Sequence, residues 1–216
     1  MTPVKLDIIS DPICPWCYIG KTELDRALER NADHPFLIEW HPFQLNPDMP
    51  KGGMDRVEYL ELKFGGREGA LQSYAPVVER AEALGLGIDF AAIERTPNTL
   101  DAHRVIHWAG LEGRQTPLVA ALFRAYFNEG RNIGDHDVLC DIAGAVSLDR
   151  DMTATLLAGN SDAEDIQKRD RHSREIGVTG VPTFIVASRH AVFGAQPSEL
   201  WDSVIADLRE AAGDGK

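Results

Sequence analysis

The chain has little cysteine, no excess of positive charge and no long apolar run, and each shortage removes a class of function. Three cysteines in 216 residues are too few for the disulfide framework of a small secreted domain. Their odd number also leaves a thiol unpaired, which suits a reducing compartment where a cysteine pair is chemical rather than structural. Lys and Arg total 22 against 34 Asp and Glu, a formal charge of −12. Sequence-independent nucleic-acid binding depends on neutralising phosphates with cations, so no nucleic-acid partner is expected. No stretch of about eighteen apolar residues is present to span a bilayer, so no membrane partner is expected either. Met1-Thr2-Pro3-Val4-Lys5 has none of the basic, apolar and small-residue succession of a signal peptide, and the expected setting is the cytoplasm. What remains is an acidic chain with 44% hydrophobic residues, enough for a sizeable core.

Two of the three cysteines stand in Cys14-Pro15-Trp16-Cys17, after the apolar run Val4, Leu6, Ile8, Ile9 and before a stretch of helical spacing. Thiols three apart on a helix's first turn share one side, with Cβ atoms roughly 5–6 Å apart, close enough for a reversible disulfide. Pro15 cannot donate a backbone hydrogen bond and its fixed φ suits the first helical position, which predicts a helix from Pro15 with Cys14 at its cap. A thiol there faces the positive helix end, which favours the thiolate, the form that attacks disulfides. Cys17 lies a turn deeper, where Trp16, Tyr18 and Ile19 restrict water. Attack is assigned to Cys14 and resolution to Cys17.

A zinc site is the competing reading of CxxC, but a four-ligand site needs a second Cys or His pair at short spacing. The remaining cysteine is Cys140, on the apolar stripe of its own helix and read as a buried spectator. Among the seven histidines only His103 and His107 are close, four apart. They read as a helix-surface or core-edge pair, and no metal is expected.

The opening reads strand, helix, strand: Val4 to Ser10, Pro15 to about Asn31, Phe36 to Pro42. Parallel strands joined by a helix need a right-handed crossover, which leaves active residues at the carboxyl edge of the sheet, where Cys14 emerges. A proline-rich turn follows, then about 125 residues with helical periodicity and little strand character. Val119, Leu122, Phe123, Tyr126 and Phe127 form one stripe; Val138, Leu139, Ile142, Ala143 and Val146 form another. Asn98 is expected to cap a helix with Ala102, Val105, Ile106 and Ala109 inward. Short strands return at Thr183 to Ala187 and Ala191 to Phe193. A last helix after Pro197 turns Leu200, Trp201, Val204, Ile205 and Leu208 to one side. The predicted fold is α/β, a mixed sheet of about four strands interrupted by a large helical insertion.

A second motif, Gly180-Val181-Pro182-Thr183-Phe184, opens the third strand of that sheet. A proline there cannot donate to the ladder and belongs at the strand's first position or its edge. Together the CxxC after a first strand, the long helical insertion and this block before a terminal hairpin and helix resemble the thioredoxin-fold DsbA-like oxidoreductases. Ser10-Asp11-Pro12-Ile13-Cys14-Pro15-Trp16-Cys17-Tyr18-Ile19-Gly20, Asn98-Thr99 with Ala102-His103-Arg104, and Phe193-Gly194-Ala195-Gln196 are similar to the FrnE branch of that family. The likeness spans essentially the whole chain. It implies a discontinuous thioredoxin-like domain, residues 1–50 and 160–216, with residues 51–159 as the inserted helical subdomain.

The resemblance implies further that Cys14 and Cys17 are the redox pair and that Pro182 is a cis-proline facing them. The Val181 backbone would then pair with a bound peptide or glutathione as an added strand, and Pro15, Trp16, His103 and Arg104 join Val181 and Pro182 as substrate-side candidates. The partners implied are disulfide- or thiol-containing proteins or small molecules. No cofactor is implied, unless glutathione serves as co-substrate, and the insertion's apolar faces leave a homodimer open. Pro-Trp between the cysteines departs from the Pro-His of DsbA, whose histidine stabilises the thiolate, so the potential is open between about −270 mV and about −120 mV. Glutathione-dependent isomerases resembling 2-hydroxychromene-2-carboxylate isomerase share the fold branch with serine in place of Cys14; they supply the alternative function. A non-catalytic peptide-binding module is the third.

Overall fold

The computed structural model describes residues 3–213. Strand β1 (Val4–Ser10) is buried from Leu6 onward and lies parallel to β2 (Phe36–Pro42), in register from Val4 opposite Phe36 to Ser10 opposite Pro42. The crossover between them is α1 (Pro15–Arg30). Two further strands, β5 (Thr183–Val186) and β6 (His190–Phe193), form a hairpin that adds antiparallel to β1, giving the order β2-β1-β5-β6. The expected four-stranded mixed sheet is therefore present.

Leu6 and Ile8 on one face of β1 join Phe184 and Val186, α1 and the terminal helix α9 (Ser198–Gly213) in one large apolar cluster. Trp201 of α9 is fully buried, edge-on to Phe184 at 4.8 Å and to Phe36 at 6.5 Å between ring centroids. A side chain of that size contributes about 1.5–3 kcal/mol by leaving water. The same cluster runs into α4 (Leu100–Leu111), α5 (Gln115–Phe127) and α6 (His136–Ala145), so the helical insertion and the sheet share a core. The stripe Val119, Leu122, Phe123, Tyr126 and Phe127 is wholly buried. On sheet edge β2, Gln115 accepts from Trp40 N at 2.9 Å and donates to Trp40 O at 3.0 Å, so at this residue the free backbone of an edge strand finds its partner in a side-chain amide.

Two details depart from the expectations. The insertion holds a second, two-stranded antiparallel sheet, β3 (Met54–Asp55) with β4 (Arg95–Thr96). It ties down the start of α2 (Arg56–Phe64), which precedes α3 (Arg67–Ala83). The cap of α4 is Thr99 rather than Asn98; Asn98 stands one residue earlier and its Oδ1 accepts from Leu100 N at 2.9 Å. The remaining helices are α7 (Arg150–Ala158) and α8 (Ala163–Glu175), and none among the described residues is long and apolar enough to cross a membrane.

Candidate functional site

The two cysteines sit where β1 hands over to α1. The turn Asp11-Pro12-Ile13 closes with Cys14 N donating to Asp11 O at 2.9 Å, and Cys14 is the extended N-cap of a helix with proline in its first turn. Cys17 N donates to Cys14 O at 3.0 Å, which fixes the second thiol one turn in. Both thiols are free; Cys14 is 4% exposed and Cys17 1%.

Strand β5 supplies the opposite wall. The Val181–Pro182 peptide bond is cis, and the Val181 carbonyl accepts from the Cys14 thiol at 3.6 Å. Helix α1 reaches this wall because residue 20 is glycine. A Cβ there would lie 3.1 Å from Pro182 Cγ and 3.3 Å from Phe184 Cζ, closer than ordinary van der Waals contact.

A cavity of about 290 Å³ opens beside Cys14, lined on one side by Pro15, Trp16 and Val181 and on the other by Arg56, Tyr59 and Tyr74 from α2 and α3. A larger groove of about 750 Å³ lies between β2 and the start of α5, but no thiol lines it, so the smaller cavity is the chemical one.

Beneath the cysteines lies a buried polar pair. Asp11 is fully enclosed; its Oδ2 accepts from Leu45 N at 2.7 Å and its Oδ1 from Ile13 N at 3.4 Å. Burial nevertheless dominates these bonds and the Thr99 hydroxyl, and pushes the carboxyl up to about 7. His103, 2% exposed, turns Nε2 to within 3.8 Å of Asp11 Oδ1 and finds no hydrogen-bond partner there. Burial drives its imidazole down to about 4, so between those values the pair holds its proton on the carboxyl. Burial, followed by the adjoining Cys14 sulfur, pushes the Cys17 thiol well above the ordinary range; the Asp11 backbone offsets part of this and the charge of Asp11 adds a smaller push upward.

The structure brings Cys14, Cys17, Pro15, Trp16, Val181 and Pro182 together and places His103 below them. Arg104 is elsewhere, a correction to its expected place at the cleft. It is 2% exposed and donates to the carbonyls of Ser161, Leu156 and Gly159 at 2.6 to 2.9 Å, and to Asp101 at 2.6 Å. The carbonyl bonds staple α4 to the last turn of α7 and the segment that follows it. Arg104→Ala is expected to cost about 2–3 kcal/mol, because three partly buried carbonyls lose their charged donor and Asp101 keeps only His136. Urea denaturation should show the loss, while turnover per folded molecule changes little; a selective fall in turnover would return Arg104 to the site.

His107 does not join His103 in a chelate; it is half-buried and lines the larger groove. The three-residue cluster with ligand spacing among the described residues is Asp7, Glu39 and His41, where Lys5 Nζ already sits 2.8 Å from Asp7 and 2.9 Å from Glu39. Cys140 is 3% exposed, and burial pushes its thiol up. Arg56, Tyr59, Lys63 and Tyr74 were not singled out from the sequence. Asp11 was quoted within its motif without a role.

Comparison with known proteins matches residues 5–206 to the DSBA-like thioredoxin domain. An uncharacterized protein of Bacillus subtilis (strain 168), YwbO, is 29% identical over 206 residues, 94% of this chain and 96% of that protein. A crystal structure of a "probable DsbA oxidoreductase", SCO1869 from Streptomyces coelicolor, superposes with a TM-score of 0.83 at 29% identity over 94% of this chain and 89% of that one. The cytosolic disulfide reductase DsbM from Pseudomonas aeruginosa, solved with glutathione, shares the fold at a TM-score of 0.66 and 19% identity, over 95% and 99% of the two chains.

Proposed function

The chain belongs to the DSBA-like thioredoxin family, and from that premise we propose that it is a thiol-disulfide oxidoreductase working through Cys14 and Cys17. One observation carries the reading: a free cysteine caps a helix with its sulfur against the Val181 carbonyl, beside a cavity, and a second free cysteine waits one turn inside. The Cys14 thiolate attacks a substrate disulfide, the S–S bond breaks, and one substrate thiolate leaves and takes a proton. Cys17 gives its proton to the Asp11 carboxylate and attacks the mixed disulfide. The second substrate thiolate leaves, and two electrons have passed from the dithiol to the substrate. Run backwards, the same steps donate a disulfide. A base held near neutrality is suited to this exchange, because half of it is ready to accept a proton at working pH. The unpaired Cys140 fits a reducing compartment and supports a cytoplasmic setting, and the three sequence blocks named above support a place near the FrnE branch.

The glutathione-dependent isomerase reading keeps one observation in its favour, the fold shared with 2-hydroxychromene-2-carboxylate isomerase at a TM-score of 0.73 and 16% identity over 98% of this chain and 99% of that one. The dithiol disfavours it, since activating bound glutathione leaves Cys17 without work. Turnover of insulin or a small disulfide by wild type, lost in Cys14→Ser and uncoupled in Cys17→Ser, tests the oxidoreductase. Isomerase activity undiminished in Cys17→Ser would favour the other.

A further inference from the structure

Arg56 is a buried cation without a buried anion. It is 4% exposed, yet its bonds go to neutral oxygens: Nη2 to Tyr74 Oη at 2.8 Å and Nη1 to Tyr126 Oη at 3.1 Å. Its guanidinium carbon stands 5.6 Å and 5.8 Å from the centres of those two rings. Its third bond, from Nη1 to Thr96 Oγ1 at 3.5 Å, is again to a neutral oxygen, and among the described residues it forms no ion pair with a carboxylate. The neighbouring carboxylate, Asp55, is committed to the backbone N–H groups of Val57 and Glu58 as the cap of α2. Burying an unpaired charge is costly, and ring faces and hydroxyls offset only part of that cost.

The surroundings sharpen the anomaly. In a chain of net charge −12, the cavity beside Cys14 is lined by two cations, Arg56 and the exposed rim residue Lys63, and by no Asp or Glu. Lys63 Nζ bonds the Tyr59 hydroxyl at 2.6 Å, again a neutral partner. A surface that repels anions on average thus concentrates positive potential in the one cavity that holds the reactive sulfur. Local cations in a low-dielectric cleft focus the field on an entering charge.

We propose that Arg56, with Lys63 at the rim, forms an anion subsite that selects carboxylate-bearing small thiols and disulfides for reaction at Cys14. The inference deepens the oxidoreductase reading and rests on it only for the identity of the reacting group. The substrate's carboxylate supplies the charge that Arg56 lacks, and the cavity of about 290 Å³ leaves its sulfur beside Cys14. A planar guanidinium is suited to a carboxylate, and one such charge-assisted bond accounts for about tenfold in affinity.

Two alkylating reagents of nearly equal size test this without any turnover. Iodoacetate carries the carboxylate and iodoacetamide does not; in each case the Cys14 thiolate displaces iodide and a C–S bond forms. Rates at Cys14 in the reduced protein, read by peptide mass, are compared with those of free 2-mercaptoethanol in the same buffer. The iodoacetate-to-iodoacetamide ratio is expected to be about tenfold higher in wild type than in the free thiol, and to fall when propionate competes. Arg56→Gln should return the ratio to the free-thiol value with the iodoacetamide rate nearly unchanged, and Arg56→Lys should retain part of it.

A wild-type ratio at or below that of the free thiol would overturn the proposal, whether or not Arg56→Gln folds. So would parallel loss of both rates in Arg56→Gln, which would make Arg56 a group acting on the thiol itself, or failure of both reagents to reach Cys14. Turnover of bis(2-hydroxyethyl) disulfide, a neutral substrate, reports on the exchange chemistry separately. A null there with a high alkylation ratio removes the oxidoreductase and leaves the subsite standing.

Discussion

Replacing Cys14 by serine is expected to abolish disulfide exchange, by roughly 10³-fold or more, with little change in folding. The nucleophile is a thiolate, and a serine hydroxyl has almost no ionised fraction at neutral pH to take its place. Oxygen fills nearly the same volume at the helix cap and can still donate to the Val181 carbonyl, as the Cys14 thiol does at 3.6 Å, so the fold is preserved. Cys17→Ser fails differently. Its first step remains, and the mixed disulfide accumulates on Cys14 because no internal thiol is left to displace it. Mass analysis after mixing with a substrate disulfide should find about one adduct per chain in Cys17→Ser and none in Cys14→Ser. Adducts on Cys17 in the Cys14→Ser protein would reverse the assignment.

The second large effect belongs to Asp11. In Asp11→Asn the release step is expected to slow by about 10²–10⁴-fold, the usual contribution of a positioned general base, while formation of the mixed disulfide changes little. The pH profile of release in wild type should bend near 7, where Asp11 titrates, and the bend should vanish in the variant. Folding tolerates the change, because the asparagine oxygen can keep the 2.7 Å bond from Leu45 N and surrender only the 3.4 Å one from Ile13 N.

Stability carries the same signature. Asp11 holds a proton in the folded state up to about 7 but only to 3.8 when unfolded, so its contribution is full below 3.8 and is lost as pH rises through 7. His103 runs the other way. Its folded value near 4 lies below the ordinary 6.5, so its contribution is full above 6.5 and is lost as pH falls through 4. Each slope is about 1.4 kcal/mol per pH unit in the shared window, and in wild type they oppose and nearly cancel. Asp11→Asn should therefore unmask the His103 slope, with stability falling on acidification below 6.5. A urea midpoint as flat in the variant as in wild type would contradict the assignment of both groups.

Most of the frame is legible in the sequence, for definite reasons. The strands of the main sheet are short but alternate or stand beside prolines. The first helix announces itself with Pro15 after Cys14, and the last with Trp201 and Ile205 four apart. Each signal is local, so periodicity finds it. Strands β3 and β4 have two residues each, too few for any period to form. Arg56 begins an unremarkable helix, and only packing across 42 positions of sequence brings it to Cys14. Asp11 lies three residues from Cys14 and was visible as a letter, but its proton is held by enclosure, which no spacing encodes. Arg104 misled because it stands beside His103 in one motif; neighbours on a helix point about 100° apart, and here one faces the sulfur site and the other the end of α7.

The most direct single measurement is a redox titration of the native protein in glutathione buffers, with the products resolved by mass. The expected result is one two-electron transition in which the chain loses two hydrogens, peptide mapping places the link between Cys14 and Cys17, and Cys140 stays free throughout. Thiols that remain separate at every potential, or a link that forms through Cys140 instead, would contradict it.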